Sequence, residues 1–152
     1  MSDKEEIRSL VEKYADAVCR RDKDDWSSTW CNNSVWNLGS IPPVEGKEAI
    51  VNLWVQAMGG FPFVAQLIQN GTVEVNGNEA NGRWYITEHL QFPEKDEDGD
   101  QTGMFNIGVY QDKYIKENGE WLFSERHYGV IYNDSTKKRM AGIVSPYPEL
   151  IK

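Results

Sequence analysis

Two strings in the last third of the chain carry polar side chains where a protein core usually has few. Asn106 and Tyr110 stand among apolar residues in GMFNIGVYQ, and Ser124 and Arg126 stand among aromatic residues in EWLFSERHY. Amides, phenols and a guanidinium can orient a bound molecule by hydrogen bonds and can stabilise charge that develops on it. Because polar groups are seldom buried without partners, these residues predict one wall of a ligand pocket.

Proton transfer needs a group that titrates, and the chain has two histidines, His89 and His127. Successive residues of a strand point to opposite faces, so His127 and its neighbour Arg126 do not share a face. In RWYITEHL the same alternation leaves two faces open for His89, and a slip of one residue exchanges them. The two faces are Trp84, Ile86 and Glu88 against Tyr85, Thr87 and His89. We expect His89 to point into the fold.

The strand pair that carries these groups is predicted from its turn. Asn118-Gly119 lies between runs of β-branched and aromatic residues, which is the strongest short-range signal for a hairpin. Apolar and polar residues also alternate in the segments before it, which indicates strands rather than helices. The predicted strands lie near Ser34–Leu38, Phe63–Ile68, Thr72–Val75, Gly82–Phe92, Gly103–Lys116 and Glu120–Tyr132.

Three helical segments come before most of these strands. The first, Ser2 to Arg21, repeats apolar residues at helical spacing, and Ser2 with Glu5 fits a capping box. Trp26 and Trp30, four residues apart, indicate a short second helix that the aspartates before Trp26 start, and Gly46 to Met58 forms a third helix. Helices followed by antiparallel strands are typical of an α+β fold. We therefore expect one domain, 1–152, in which N-terminal helices pack on a strongly curved, mostly antiparallel sheet and form a cone-shaped α+β barrel.

Composition excludes several classes of partner. The net charge is −8 and the pI is near 4.8, which argues against binding to nucleic acid or to anionic membranes. The charged start MSDKEEIRSL does not resemble a secretory signal, so a cytoplasmic location is expected. Cys19 and Cys31 match no zinc pattern and are expected to be reduced. The acidic segment Glu94–Asp100 lacks calcium-loop spacing and is expected to be a solvated hairpin loop without metal.

Three longer strings resemble a known family. YADAVCRRDKDDWSSTWCNNSVWNL, VEGKEAIVNLW and VYQDKYIKENGEWLFSERHYGVIY are similar to the SnoaL-like branch of the nuclear-transport-factor-two-like (cystatin-like) superfamily. That branch includes scytalone dehydratase, the hexachlorocyclohexane dehydrochlorinase and bile-acid dehydratases. The resemblance covers nearly the whole chain and implies the cone-shaped fold, whereas it leaves the reaction open, because one fold hosts many functions.

The resemblance implies a proton-transfer dyad at the base of the cone. The aspartate of the relatives' dyad matches Asp22, and the alternative for Asp22 is a cap of the short second helix. The relatives' histidine falls in FVAQLIQN, where this chain has Gln66 or Gln69, depending on the register. Glutamine orients a ligand but does not titrate. His89 matches a second active-site histidine of scytalone dehydratase, and therefore Asp22 and His89 are the expected catalytic pair.

The remaining pocket residues come from the hairpin and from aromatic residues of the helices. Tyr110 and Arg126 match positions that the resemblance places in the pocket, while the alternative for Arg126 is a buried ion pair with Asp22, Glu88 or Asp112. Tyr14, Trp26 and Trp54 are expected either to line the cavity or to belong to the core. The predicted substrate-binding set is Tyr14, Trp26, Trp54, Gln66, Gln69, Asn106, Tyr110 and Arg126.

Two functions fit the predicted fold and pocket residues. The first is a cofactor-free, dehydratase-like lyase or isomerase that acts on a small hydrophobic ring-bearing compound by acid–base proton transfer. The second is a non-catalytic domain that binds a small molecule in the same cone. In either case one face of the sheet needs a cover, because Ile107, Val109, Phe123 and Ile131 would otherwise point to water. We therefore expect a homodimer or homotrimer formed through the sheet.

Overall fold

The computed structural model describes residues 1–149 and 151, and it has an α+β architecture in which helices pack on a six-stranded mixed sheet. Within these residues, four helices and six strands follow one another. They are α1 (Asp3–Arg20), α2 (Lys23–Ser27), β1 (Trp30–Asn37), β2 (Val44–Glu45), α3 (Lys47–Gly60), β3 (Phe63–Asn76), β4 (Glu79–Lys95), β5 (Gln101–Glu117), β6 (Glu120–Asp134) and α4 (Lys137–Met140).

Helix α1 begins as its sequence predicts. The Ser2 hydroxyl accepts a hydrogen bond from the Glu5 N–H at 3.3 Å, and the Glu5 carboxylate accepts one from the Ser2 N–H at 2.7 Å. This reciprocal pair satisfies two N–H groups that have no partner within the helix. One face of α1, which includes Ile7, Val11 and Tyr14, is buried and lies against β3 and β6.

The sheet has the order β2-β1-β6-β5-β4-β3 and remains open, with β2 and β3 at its edges in the part of the chain that is described. All neighbouring strands are antiparallel except β1 and β6, which run parallel. At the turn between β5 and β6, Asn118 has φ 51° and Gly119 has φ 81°, as the predicted hairpin requires. The cone-shaped α+β fold expected from the sequence is confirmed.

Irregular pairing decides which side chains face the helices. Strand β3 is one strand rather than two, and it bulges between Ile68 and Gly71. Strand β6 bulges where Ser124 is left without an opposite residue, so Phe123 rather than Ser124 turns inward. The expectation that Phe123 points outward and that Ser124 belongs to the pocket wall is therefore wrong. Ile131, which the second β6 bulge leaves without an opposite residue, is 63% exposed.

Beyond the predicted elements, the chain forms the short strand β2 and the short helix α4. The buried side chain of Met140 and the ring of Phe105, which lies 3.6 Å from the Arg139 guanidinium carbon, hold α4 close to β5. Lys137 contacts three of the carboxylates in the loop between β4 and β5, which belong to Asp96, Asp98 and Asp100. The lysine ammonium therefore offsets part of the negative charge of this acidic cluster.

No described helix has both the length and the apolar character needed to cross a bilayer. Homo-oligomerisation through the sheet stays a prediction.

Candidate functional site

A cavity of about 560 Å³ lies between the sheet and helices α1 and α3. Its size falls within the range of about 300–1,000 Å³ that is usual for small-molecule sites. Aromatic and aliphatic side chains form most of its surface. They are Val18, Trp36, Leu38, Trp54, Ala57, Met58, Phe61, Val64, Leu90, Met104 and Val130. The cavity therefore favours a largely apolar guest.

Four polar residues form a row across the sheet beside this apolar surface. Gln66, Glu88, Asn106 and Asn133 stand directly opposite one another on β3, β4, β5 and β6. Gln66 Nε2 donates to Glu88 Oε2 at 3.4 Å, and Asn106 Nδ2 donates to Glu88 Oε1 at 3.3 Å. Asn133 Nδ2 in turn donates to Asn106 Oδ1 at 2.7 Å. The row therefore converges on the carboxyl group of Glu88.

Glu88 is the charged residue of the cavity lining, which within residues 1–149 contains no other carboxylate and no lysine, arginine or histidine. The Tyr128 hydroxyl donates to Glu88 Oε1 at 3.1 Å. Burial raises the pKa of Glu88, while the hydrogen bonds from Asn106, Tyr128 and Gln66 oppose that rise. A carboxyl group whose pKa moves toward neutrality can both remove and return a proton.

A layer of charge lies behind the cavity wall. The Arg126 guanidinium carbon lies 3.6 Å from the centre of the Tyr110 ring and 4.4 Å from that of Tyr14. Arg126 Nε donates to Asp112 Oδ1 at 2.8 Å, and its Nη2 donates to Asp112 Oδ2 at 3.1 Å. Both side chains of the ion pair are fully buried. Arg126 thus forms the buried pair with Asp112 rather than lining the cavity.

Asp22 does not line the cavity. It caps α2, because its Oδ1 accepts the Asp25 N–H at 2.9 Å, and its Oδ2 accepts a bond from Arg20 at 3.0 Å. Its side chain is 39% exposed. The backbone N–H of Asp25 and the Arg20 guanidinium lower the pKa of Asp22, so the group stays ionised rather than carrying protons. Asp22 is therefore a helix cap, which was the alternative to a catalytic role in the sequence analysis.

His89 lies on the opposite face of β4 from the cavity. Its ring packs edge-on against Phe63 and Phe105, at centroid distances of 5.6 and 6.0 Å. Burial and the nearby charge of Arg139 lower its pKa. The expected inward orientation is wrong, and Asp22 and His89 do not form a pair in the cavity. His127 also lies outside the cavity, with Nε2 2.9 Å from the Glu125 carboxylate.

The other predicted residues divide between the cavity and the layers around it. Trp26 lies one layer behind the cavity and stacks on Trp54 at 4.6 Å between ring centroids. Gln69 falls in the β3 bulge, is exposed and donates to the Thr87 hydroxyl at 3.1 Å. The predicted residues that do border the cavity are Tyr14, Trp54, Gln66, Asn106 and Tyr110.

Comparison with known proteins places this geometry in a family. Residues 1–127 match the SnoaL-like domain. The chain belongs to the SnoaL-like domain family. An uncharacterized protein of Mycobacterium tuberculosis is 24% identical over 128 residues, which cover 83% of this chain and 84% of that protein.

Solved structures agree with this SnoaL-like fold. A hexachlorocyclohexane dehydrochlorinase (LinA type 2) superposes with a TM-score of 0.78 at 19% identity, over 97% of this chain and 95% of that one. A scytalone-dehydratase-like protein of Novosphingobium aromaticivorans gives 0.77 at 15% identity, over 88% and 87%. A cystatin-like protein of Nostoc punctiforme gives 0.68 at 20% identity, over 84% and 90%. At such identities these likenesses show the fold.

The sequence prediction for this SnoaL-like domain missed Glu88, Tyr128 and Asn133 as parts of the site. A signal for Glu88 was present, because Trp84 and Ile86 share its face and large apolar side chains mark the buried face of a strand. Asn133 had no such signal, since the bulge at Ile131 changes the face of every residue after it.

Proposed function

We propose that this protein is a cofactor-free lyase or isomerase that transfers a proton on a small, hydrophobic, ring-bearing molecule, with Glu88 as the proton carrier. The observation that carries the proposal is the position of Glu88, a carboxyl group in an apolar cavity with three hydrogen-bond donors and a raised pKa. Perturbed carboxyl groups in a cavity are typical of acid–base sites.

One carboxyl group is sufficient for such a reaction. Ionised Glu88 removes a proton from a carbon next to a carbonyl group, and the electron pair of the broken C–H bond moves onto the carbonyl oxygen to give an enolate. The phenols of Tyr110 and Tyr128 border the cavity beside Glu88. The Tyr128 hydroxyl donates to the ionised carboxylate, and it turns its O–H to the enolate oxygen once Glu88 holds the proton. Protonated Glu88 then returns the proton at a second carbon. In a dehydration, the enolate instead expels a hydroxyl group from the next carbon, which takes the proton from Glu88 and leaves as water.

The charges around the cavity select an uncharged substrate. An anionic group would lie near Glu88 without a cation to pair with, since Arg126 is already paired with Asp112 behind Tyr110. Burying an unpaired charge is costly. Neutral ring ketones and phenols therefore fit the cavity better than their carboxylated analogues.

Hydrogen exchange tests the proton transfer directly. Neutral ring ketones that raise the melting temperature are incubated with the protein in D₂O, and loss of the C–H signal next to the carbonyl is followed by NMR. Glu88→Gln should slow this exchange by about 10²–10⁴-fold, the usual contribution of general acid–base catalysis. Asp22→Asn, which alters a carboxylate outside the cavity, should leave the rate unchanged. Equal rates in Glu88→Gln and wild type would refute the proposal.

The second candidate, a non-catalytic binding domain, is favoured by the glutamine that replaces the relatives' histidine. Gln66 occupies the cavity position on β3, so the lining has one titratable carboxyl group and no histidine within residues 1–149. This function predicts that ligands bind equally well to wild type and Glu88→Gln, with no exchange of their C–H groups in either protein.

A further inference from the structure

We propose that Gln66 is a positioning residue whose side-chain amide reverses its orientation when Glu88 gains a proton, so that Glu88 stays hydrogen-bonded in both of its protonation states. The proposal rests on the proposed function in one respect, namely that Glu88 carries the proton.

The two oxygens of Glu88 have unequal surroundings. Oε1 accepts from both Asn106 Nδ2 and the Tyr128 hydroxyl, at 3.3 and 3.1 Å. Within residues 1–149, Oε2 accepts from Gln66 Nε2 alone, at 3.4 Å. Asn106 cannot turn without losing the bond that its Oδ1 accepts from Asn133. A proton on Oε2 displaces one of these hydrogen bonds and a proton on Oε1 displaces two, so we place the proton on Oε2, on the side of Gln66.

The amide of Gln66 suits only the ionised form of Glu88 as it stands. Its Nε2 donates to Glu88 Oε2 and to the Tyr110 hydroxyl at 3.3 Å, while its Oε1 is buried and has no hydrogen-bond partner among the residues that the structure describes. The side chain of Gln66 is 4% exposed, so water does not compensate. A buried acceptor without a partner is costly.

Once Glu88 is protonated, a half-turn of the amide keeps the hydrogen bond between the two side chains, because Oε1 then accepts from the Glu88 O–H. The Tyr110 hydroxyl stays within reach of the same end of the amide, and Nε2 takes the buried position in which Oε1 has no partner among residues 1–149. A histidine at this position would exchange protons with Glu88, whereas an amide has a donor end and an acceptor end and carries no charge in either orientation.

The groups around Glu88 supply no competing titration near neutral pH. The titratable side chains that face it are Tyr128 on β6, Tyr110 on β5 and Tyr14 on α1, and burial raises the pKa of each phenol. Arg126 and Asp112 are paired with each other behind Tyr110. The thiol of Cys19 on α1 contacts the backbone N–H and C=O of Gln66 rather than its side-chain amide. A change in the Gln66 side-chain amide that shares its midpoint with the Glu88 carboxyl carbon therefore reports on Glu88.

NMR of the full-length protein tests the proposal. With ¹³C and ¹⁵N labelling, the Glu88 side-chain carboxyl carbon and the Gln66 side-chain amide signals should titrate with one shared midpoint. Gln69→Met, which removes an exposed amide on the same strand, should leave that midpoint unchanged. If the Glu88 signal titrates while the Gln66 signals do not move, the reorientation of Gln66 is refuted and the proposed function is not. A Glu88 signal that does not titrate between pH 4 and pH 10 overturns both the proposed function and the switch.

The variant Gln66→Met separates a reversible amide from a fixed donor. A fixed donor favours only the carboxylate, so its removal should raise the Glu88 midpoint by about one pH unit or more. An amide that serves both states should shift it by less than about half a unit, because each form loses one bond. A large upward shift overturns the proposal, and the wild-type titration decides the matter if this variant does not fold.

Discussion

The pair formed by Arg126 and Asp112 gives the sharpest test of how this fold holds charge behind its cavity. Arg126→Met removes the guanidinium and leaves Asp112 fully buried, with the Tyr114 hydroxyl at 2.7 Å as its remaining hydrogen bond. Breaking a buried ion pair on one side costs about 3–5 kcal/mol. For a chain of this length, that loss lowers the melting temperature by roughly 6–20 °C.

The stability lost in Arg126→Met should be greater at high pH than at low pH. Burial raises the pKa of Asp112, and Arg126 is the main group that opposes the rise, so the variant raises it further. A group whose folded pKa is raised destabilises the fold above that pKa, and the penalty fades as the pH falls toward the unfolded value of about 3.9. The variant should therefore lose more stability at pH 8 than at pH 5.

Urea denaturation at both pH values measures these losses. The double variant Asp112→Asn with Arg126→Met should recover most of the stability lost at pH 8, because it removes the unpaired charge and keeps a similar shape. Equal losses at pH 8 and pH 5, or a double variant no more stable than the single one, would show that the pair is not held as described.

Two further predictions concern the cavity itself. Glu88→Gln should raise the melting temperature at pH 8 and leave it unchanged near pH 4, because burial raises the pKa of Glu88 and its ionised form opposes folding; a gain of equal size at both pH values would contradict this. Gly108→Ala places a methyl group 2.3 Å from the Tyr128 ring, and should cost about 1–3 kcal/mol of unfolding free energy in urea titrations. In the control Gly129→Ala, the added methyl group meets no described atom within 4 Å, so the unfolding free energy should change by less than about 0.5 kcal/mol. Similar losses of stability in the two variants would contradict the packing of Gly108 against Tyr128.

Local features of the sequence were sufficient to predict the elements that local chemistry controls. The Ser2–Glu5 capping box and the Asn118-Gly119 turn each depend on residues close together in the chain, and both are present. The parallel pairing of β1 with β6 joins residues about 90 positions apart, such as Trp36 and Arg126, and no local pattern specifies it. Short elements such as β2 offered too few residues to show a period.

The site was harder to predict because one residue of register reverses a face. Alternation showed that Glu88 and His89 point to opposite sides, but not which side carries the helices. Trp84 and Ile86 are buried, which shows that their face of β4 points to the helices. From the sequence, this burial could only be expected from the size and apolar character of the two side chains. Asp22 was misjudged for a different reason, since an aspartate that caps a helix and one that begins a catalytic site share the same sequence context.

The polar row of Gln66, Glu88, Asn106 and Asn133 has a consequence for how such domains diversify. Each member comes from a different strand and enters the row through its side chain, whereas the strand pairing is made by the backbone. Replacing one of these residues by one with an imidazole, carboxylate or hydroxyl side chain therefore changes the functional groups in the cavity, while the sheet keeps its backbone hydrogen bonds. Varying these four positions together would therefore sample many combinations of polar groups in the cavity on one scaffold.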